Sequence, residues 1–191
     1  MQKLLKLTIL VGALGGGLTA CADAERNDEK AALEVSATTA MTPEKMGKLI
    51  KSFDPESEMR DNLIAFKIQD RELIIVYDAN NDRMRTLTPV APASLVDEAI
   101  LLRMAQANYD SVLDARYAVA DGMIWSAFIH PLASLQEEQL LSAIAQVVTA
   151  AETFGTTYTS GAMVFGGGDS SELHDELLKK LEEAAKKKEA I

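Results

Sequence analysis

Residues 111–154 read SVLDARYAVADGMIWSAFIHPLASLQEEQLLSAIAQVVTAAETF, and this stretch decides the fold. Over 111–120 apolar side chains alternate, with Leu113, Ala115, Tyr117 and Val119 on one face, the period of a half-buried strand. Asp121-Gly122 follows, the pair favoured in a tight hairpin because a type I′ turn needs positive φ at both central positions. Alternation resumes over 123–129, placing Met123, Trp125, Ala127 and Ile129 on one face and Ile124 and Phe128 on the other. His130-Pro131 closes that strand. Ser134-Leu135-Gln136-Glu137 then matches the S-x-x-E capping box and predicts a helix to about Phe154. Its buried stripe is Leu140, Ile144, Val147, Val148 and Ala151, with Gly155 as the stop.

Working outward, Thr42-Pro43 fit N-cap and N1 of a first helix, and Met46, Leu49, Ile50 and Phe53 recur at helical spacing. Asp54-Pro55 end it, because the residue before proline avoids the helical region. Three strands come next. Residues 62–68 alternate, with Ile64, Phe66 and Ile68 on one face; 72–77 carry Leu73, Ile74, Ile75 and Val76 and suit a central strand. The more polar 83–88 reads as an edge guarded by Arg83 and Arg85, ended by Pro89 and Pro92. Ser94 and Asp97 cap a second helix over 94–108, with Val96, Ile100, Met104 and Ala107 as its stripe. The order α-β-β-β-α-β-β-α segregates hairpins from helices and argues an α+β fold with an antiparallel sheet and packing helices.

Past residue 155, 162–165 form a short apolar patch, and Gly166-Gly167-Gly168 make a hinge. Residues 169–191 read as a C-terminal amphipathic helix with Leu173, Leu177, Leu178 and Leu181 on one stripe. That stripe suits packing on its own domain, pairing with a partner, or exposure to solvent.

The ends and the charge balance speak to location. The chain has 191 residues, 19 Lys+Arg against 29 Asp+Glu, a net charge of −10, one Cys and two His. An acidic balance argues against a nucleic-acid partner, and one Cys excludes an internal disulfide. Lys3 and Lys6 precede an apolar run over 7–14 and small residues up to Leu18-Thr19-Ala20-Cys21, the layout of a secretory leader too short to span a bilayer. Leu18–Cys21 resembles the lipobox of bacterial lipoproteins. The resemblance implies cleavage of residues 1–20 and acylation of Cys21, with Ala22 directing the protein to the outer membrane, facing the periplasm. Cleavage would remove two Lys and no acid, moving the net charge to −12. The polar segment 22–40 reads as a flexible tether. The expected organisation is a leader (1–20), lipidated Cys and tether (21–41), an α+β domain (42–165), and a hinge with the C-terminal helix (166–191).

Chemistry-bearing patterns are sparse. Asp78-Ala79-Asn80-Asn81-Asp82 begins like an EF-hand loop, but Arg83 stands at the glycine position and Pro89 at the bidentate one, so it reads as a hairpin turn. His130 ends a strand, His174 lies in a charged helix, and no G-x-S-x-G elbow is present. No metal, cofactor or catalytic residue is expected. Trp125 reads as core or groove.

The element order, the strands 62–68 and 71–78, the segment Ile100–Asn108 (ILLRMAQAN) and Trp125–Leu132 (WSAFIHPL) running into a capped helix are together similar to the YbjN-like family of sensory transduction regulators. The fold of that family resembles type III secretion chaperones. The resemblance covers about residues 42–155 and implies a helix–sheet platform that binds other proteins or dimerises, with helix 94–108 as the dimer contact. The expected function is a lipid-anchored periplasmic protein-binding module, chaperone-like or an adaptor, whose partner is an envelope or secreted protein. An envelope assembly factor acting through the C-terminal helix is the alternative, and a hydrolase ranks behind both for want of a nucleophile–base pattern. The expected contacts are Trp125, Phe128, Leu173, Leu177 and Leu181.

Overall fold

The computed structural model describes residues 40–110, 112–155 and 168–189. The leader, Cys21, nearly all of the tether, the 162–165 patch and the first two hinge glycines lie outside the described residues.

Helix α1 spans Pro43–Phe53 and is set up by its ends: Thr42 Oγ1 accepts the Lys45 N–H at 3.2 Å, Pro43 opens the first turn, and Asp54 is the C-cap. Strands β1 (Glu58–Arg60), β2 (Leu63–Ile68), β3 (Arg71–Asp78) and β4 (Arg83–Pro92) follow. A 3₁₀ turn at Ala93–Leu95 leads to α2 (Glu98–Asp110), then β5 (Arg116–Ala120), β6 (Met123–His130), α3 (Glu137–Glu152) and α4 (Gly168–Glu189). The strands form one antiparallel sheet in the order β1-β2-β3-β4-β6-β5. This is an α+β fold, with a short β1 added to the strands expected from sequence.

One sheet face is covered. Ile64, Phe66, Leu73, Ile75, Tyr77, Met84, Thr86, Thr88, Tyr117, Ile124, Ser126 and Phe128 are all buried on it, aligned by strand register. Helix α3 lies across β4 and β6 on this face, while α4 packs on α3 and α1. The sandwiching explains why eleven residues of α3 are buried, including Ala143, Ala145 and Ala150 beyond the stripe expected from sequence. Phe53 of α1 meets Phe66 edge to face, with ring centroids 6.2 Å apart.

Several local expectations yield to long-range contacts. Strand β4 is no edge over 83–87, because β6 returns through α2 and β5 to pair with its far side; Arg83 and Arg85 stand on the uncovered sheet face instead. Nor does Pro89 end it. Past the paired stretch with β3, residues 89–92 have β6 alone as neighbour, so a proline without an N–H leaves no ladder bond unmade. The cap of α2 is Asp97, whose Oδ1 accepts the Ile100 N–H at 2.9 Å, and Ser94 falls in the 3₁₀ turn.

Helix α3 starts after Gln136, not Ser134. The Ala133 N–H is held at 2.7 Å by the Asp82 carboxylate of the distant β3–β4 turn, and Leu135 is fully buried, which keeps the 132–135 turn out of the helix. The Gln136 N–H donates to Gln139 Oε1 at 2.8 Å, a shifted version of the expected cap. Strand β5 begins at Arg116, so Leu113 sits in a turn at φ +54° with its side chain exposed. That turn is fixed by Gln146 of α3, whose Oε1 accepts the N–H groups of Asp114 at 2.9 Å and Ala115 at 3.1 Å. Asp121 and Gly122 both have positive φ, as the hairpin requires.

Replacing Gln146 with Leu fills the same space with an apolar side chain but removes the acceptor of the Asp114 N–H and one of the two acceptors of the Ala115 N–H, leaving it the Val112 carbonyl alone. Urea unfolding is expected to show a loss of about 1–3 kcal/mol, and an unchanged midpoint would contradict the role given to this amide.

Candidate functional site

The second sheet face is open. Register puts Leu63, Ala65, Ile74, Val76, Leu87, Pro89, Trp125, Ala127 and Ile129 on it as a continuous band running across the strands. No described helix packs there: α3 lies on the other face and α2 lies against β5. Most of these side chains are half-buried by one another, and Ile129 is 58% exposed. Trp125 lies within the band, and its indole Nε1 donates to the Ala120 carbonyl at 3.1 Å.

A second apolar surface lies on the outside of α2. Its inner side buries Met104 and Ala107, which is the spacing that seats a short helix. Its outer side leaves Leu101 and Leu102 exposed, with Tyr109 94% exposed and Leu95 of the preceding turn 72% exposed. Large apolar side chains grouped this way mark interaction surfaces more often than isolated ones do.

The sheet edges are handled differently. Asn108 of α2 clamps the outer side of β5: its Oδ1 accepts the Tyr117 N–H at 2.7 Å, and its Nδ2 donates to the Tyr117 carbonyl at 3.1 Å. On the far side, where β1 stops short, the Asp54 carboxylate accepts the Lys67 N–H of β2 at 2.7 Å. Side chains thus occupy backbone groups that an added strand would use. A cleft of about 310 Å³ beside Asp54 is lined by Glu56, Glu58, Phe66, Lys67 and Glu72. A second, of about 370 Å³, opens between β6 and α3 and includes Asp114, Ile129, His130, Ser142 and Gln146.

The expected contact residues are scattered over these surfaces. Trp125 is on the open face, whereas Phe128 is 7% exposed on the covered face, where its ring stacks on His130 at 6.0 Å between centroids. Leu177 and Leu181 are 5% and 4% exposed, because α4 docks against α3 and α1 of its own chain; Leu173 remains 42% exposed. The structure therefore does not bring the five into one site. Sequence reading missed the Asn108 and Asp54 clamps, since both link residues nine or more positions apart with no local signature.

The titratable groups serve turns. Asp78 Oδ1 accepts the N–H groups of Asn80 and Asn81 at 3.0 Å each, and its Oδ2 accepts the Asn81 amide at 2.7 Å. These bonds, the Asn81 side chain first, hold the Asp78 carboxyl below its usual range. The oxygens offered to an EF-hand ion are thus committed to the hairpin. His130 Nδ1 lies 2.7 Å from the Pro131 carbonyl, which can only accept and so fixes the proton on that nitrogen. Among the described residues, no group of three His, Cys, Asp or Glu side chains is placed to hold a metal, and no helix is long and apolar enough to cross a membrane.

No family model and no curated protein matches this sequence. Among solved structures, a chain of the ExsC-ExsE complex is similar at 14% identity and TM-score 0.50, covering 64% of this chain and 99% of that one. A chain of the HopA1-SchA chaperone-effector complex gives 14% identity and TM-score 0.46 over 57% of this chain and 91% of that one. The Yersinia pestis type III secretion chaperone SycH in complex with a YscM2 fragment gives 16% identity and TM-score 0.44 over 56% and 98%. The mixed helix and antiparallel-sheet fold is shared with the matched chain of the ExsC-ExsE complex.

The Asn108 clamp has a measurable consequence. Asn108→Ala removes both bonds to Tyr117 and frees the β5 edge; stability is expected to fall by about 1–3 kcal/mol, with concentration-dependent association in light scattering. A variant that stays as soluble and as stable as the parent would contradict edge protection.

Proposed function

We propose that this chain is a lipid-anchored protein-binding module of a bacterial envelope, chaperone-like or adaptor-like in action and YbjN-like in its domain. The observation that carries it is the apolar surface left uncovered on two sides of a well-packed domain: the open sheet face, and the outer side of α2 with Leu101, Leu102 and Tyr109. A folded domain retains such surface where a partner covers it. The fold adds support, since a chain aligned over almost its full length comes from a two-protein complex. The Leu18-Thr19-Ala20-Cys21 sequence supports the anchor and the outer-membrane location. The partner is an envelope or secreted protein.

A homodimer through α2 is a second reading, favoured by the exposure of Leu102 and Tyr109 on one side of a single helix. An assembly role for α4 is less favoured, because Leu177 and Leu181 are already engaged within the chain.

One experiment addresses anchor and surface together. The full chain, carrying a photo-crosslinking residue at Leu102, is expressed with and without Cys21→Ala, and cells are fractionated after irradiation. The parent is expected in the membrane fraction, the Cys21→Ala chain in the soluble one. Leu102 is expected to give a discrete adduct, of doubled mass for a homodimer. Membrane retention after Cys21→Ala would contradict the anchor, and no adduct would contradict the contact.

A further inference from the structure

The open sheet face is not uniform in charge. On β4, β6 and β5 its positions are Arg83, Arg85, Leu87, Pro89, Met123, Trp125, Ala127, Ile129, Arg116, Ala118 and Ala120, by the pairings Leu87↔Ala127, Arg85↔Ile129, Pro89↔Trp125 and Arg116↔Ala127. Three are arginines and none is acidic, in a chain whose net charge is −10. On β1 to β3 the same face mixes Arg60 and Lys67 with Glu58, Glu72 and Asp78.

The arginines differ in what they already do. Arg116 donates to the Leu113 and Ala115 carbonyls, and Arg83 to the Asp82 carbonyl at 2.9 Å. Arg85 lies between Val76 and Ile129 at one end of the apolar band, two residues from Arg83 on the same face, and makes no hydrogen bond or ion pair among the described residues. A guanidinium flanked by apolar side chains pairs strongly with a carboxylate once a partner excludes water, and its planar fork suits two-point contact.

We propose that the β4–β6–β5 part of the open face docks an acidic amphipathic helix of a partner protein, its apolar side on Leu87, Trp125 and Ile129 and its carboxylates on Arg85 and Arg116. The inference rests on the protein-binding reading and gives that reading a surface and a partner chemistry. Charge complementarity selects the occupant. A second copy docked through the same β4–β6–β5 strands would bring arginines against arginines, and an anionic bilayer would meet the whole negative body, whereas a narrow helix meets the local positive field within about one Debye length.

Trp125 is the only tryptophan in the chain, so its emission reports on this face alone. The probes are two designed helical peptides sharing one leucine stripe, flanked by Glu in one and by Lys in the other, titrated into the full chain at low salt. The Glu peptide is expected to shift Trp125 emission to the blue and to bind at least about tenfold more tightly than the Lys peptide. Arg85→Glu should weaken the Glu peptide by a similar factor. Lys51→Glu, the same charge change on exposed α1, should leave binding as it was, and circular dichroism checks that both variants fold. Arg85→Gln, which removes the charge without reversing it, should fall between. Equal binding of the two peptides, or Glu-peptide binding indifferent to Arg85→Glu, would overturn the inference. So would an emission shift with phosphatidylglycerol vesicles and none with the peptide. Since the Leu102 crosslink is read on a different surface, an adduct there with no peptide binding here would overturn the acidic-helix inference and leave the protein-binding reading standing.

Discussion

The burial of α3 between the sheet and α4 is the contact on which the rest of the structure depends. Ala143, Ile144, Val147, Val148 and Ala150 are each no more than 4% exposed, and the small alanines let the helix approach its neighbours on both sides. Polar side chains then tie distant chain segments to it. Gln146 holds the turn that starts β5, and the Tyr117 hydroxyl donates to the Ala150 carbonyl at 2.5 Å. Because α3 and α1 spend their apolar faces on one side of the sheet, the other side has no helix left to cover it among the described elements.

That asymmetry links packing to action. The clamps at Tyr117 and Lys67 occupy backbone groups at two sheet edges, which lowers the appeal of strand addition at those points. What is offered to a partner is side-chain surface: a band of aliphatic residues with one tryptophan and one uncommitted arginine, and a short helix with leucines and a tyrosine facing out. Apolar contact supplies affinity, while the arginines select among partners and orient them.

Much of the fold was legible in the sequence. The alternation of 123–129, the Asp-Gly turn and the helical spacing of 140–151 each reflect a burial pattern imposed by neighbours along the chain. Where reading failed, a contact distant in sequence had outweighed a local preference. Arg83 and Arg85 look like edge guards until β6 arrives beside them, and Ser134 looks like a cap until Asp82 claims the Ala133 N–H. The candidate site was less legible. Trp125 and Phe128 are three residues apart and fall on opposite faces, as their spacing in a strand requires, yet which face would be covered depended on where α3 and α4 docked. The four-leucine stripe of α4 carried a correct amphipathic signal and no information on whether its partner was in the same chain.

The central claim is that the uncovered sheet face is free in the isolated chain and occupied in the cell. Alkylation of Ile129→Cys by a small maleimide, followed by mass spectrometry at that residue, tests it most directly in purified full-length protein and in intact envelopes. Rapid modification of the purified chain and marked protection in the envelope is the predicted result. Slow modification of the purified chain, or equal rates in both settings, would contradict it.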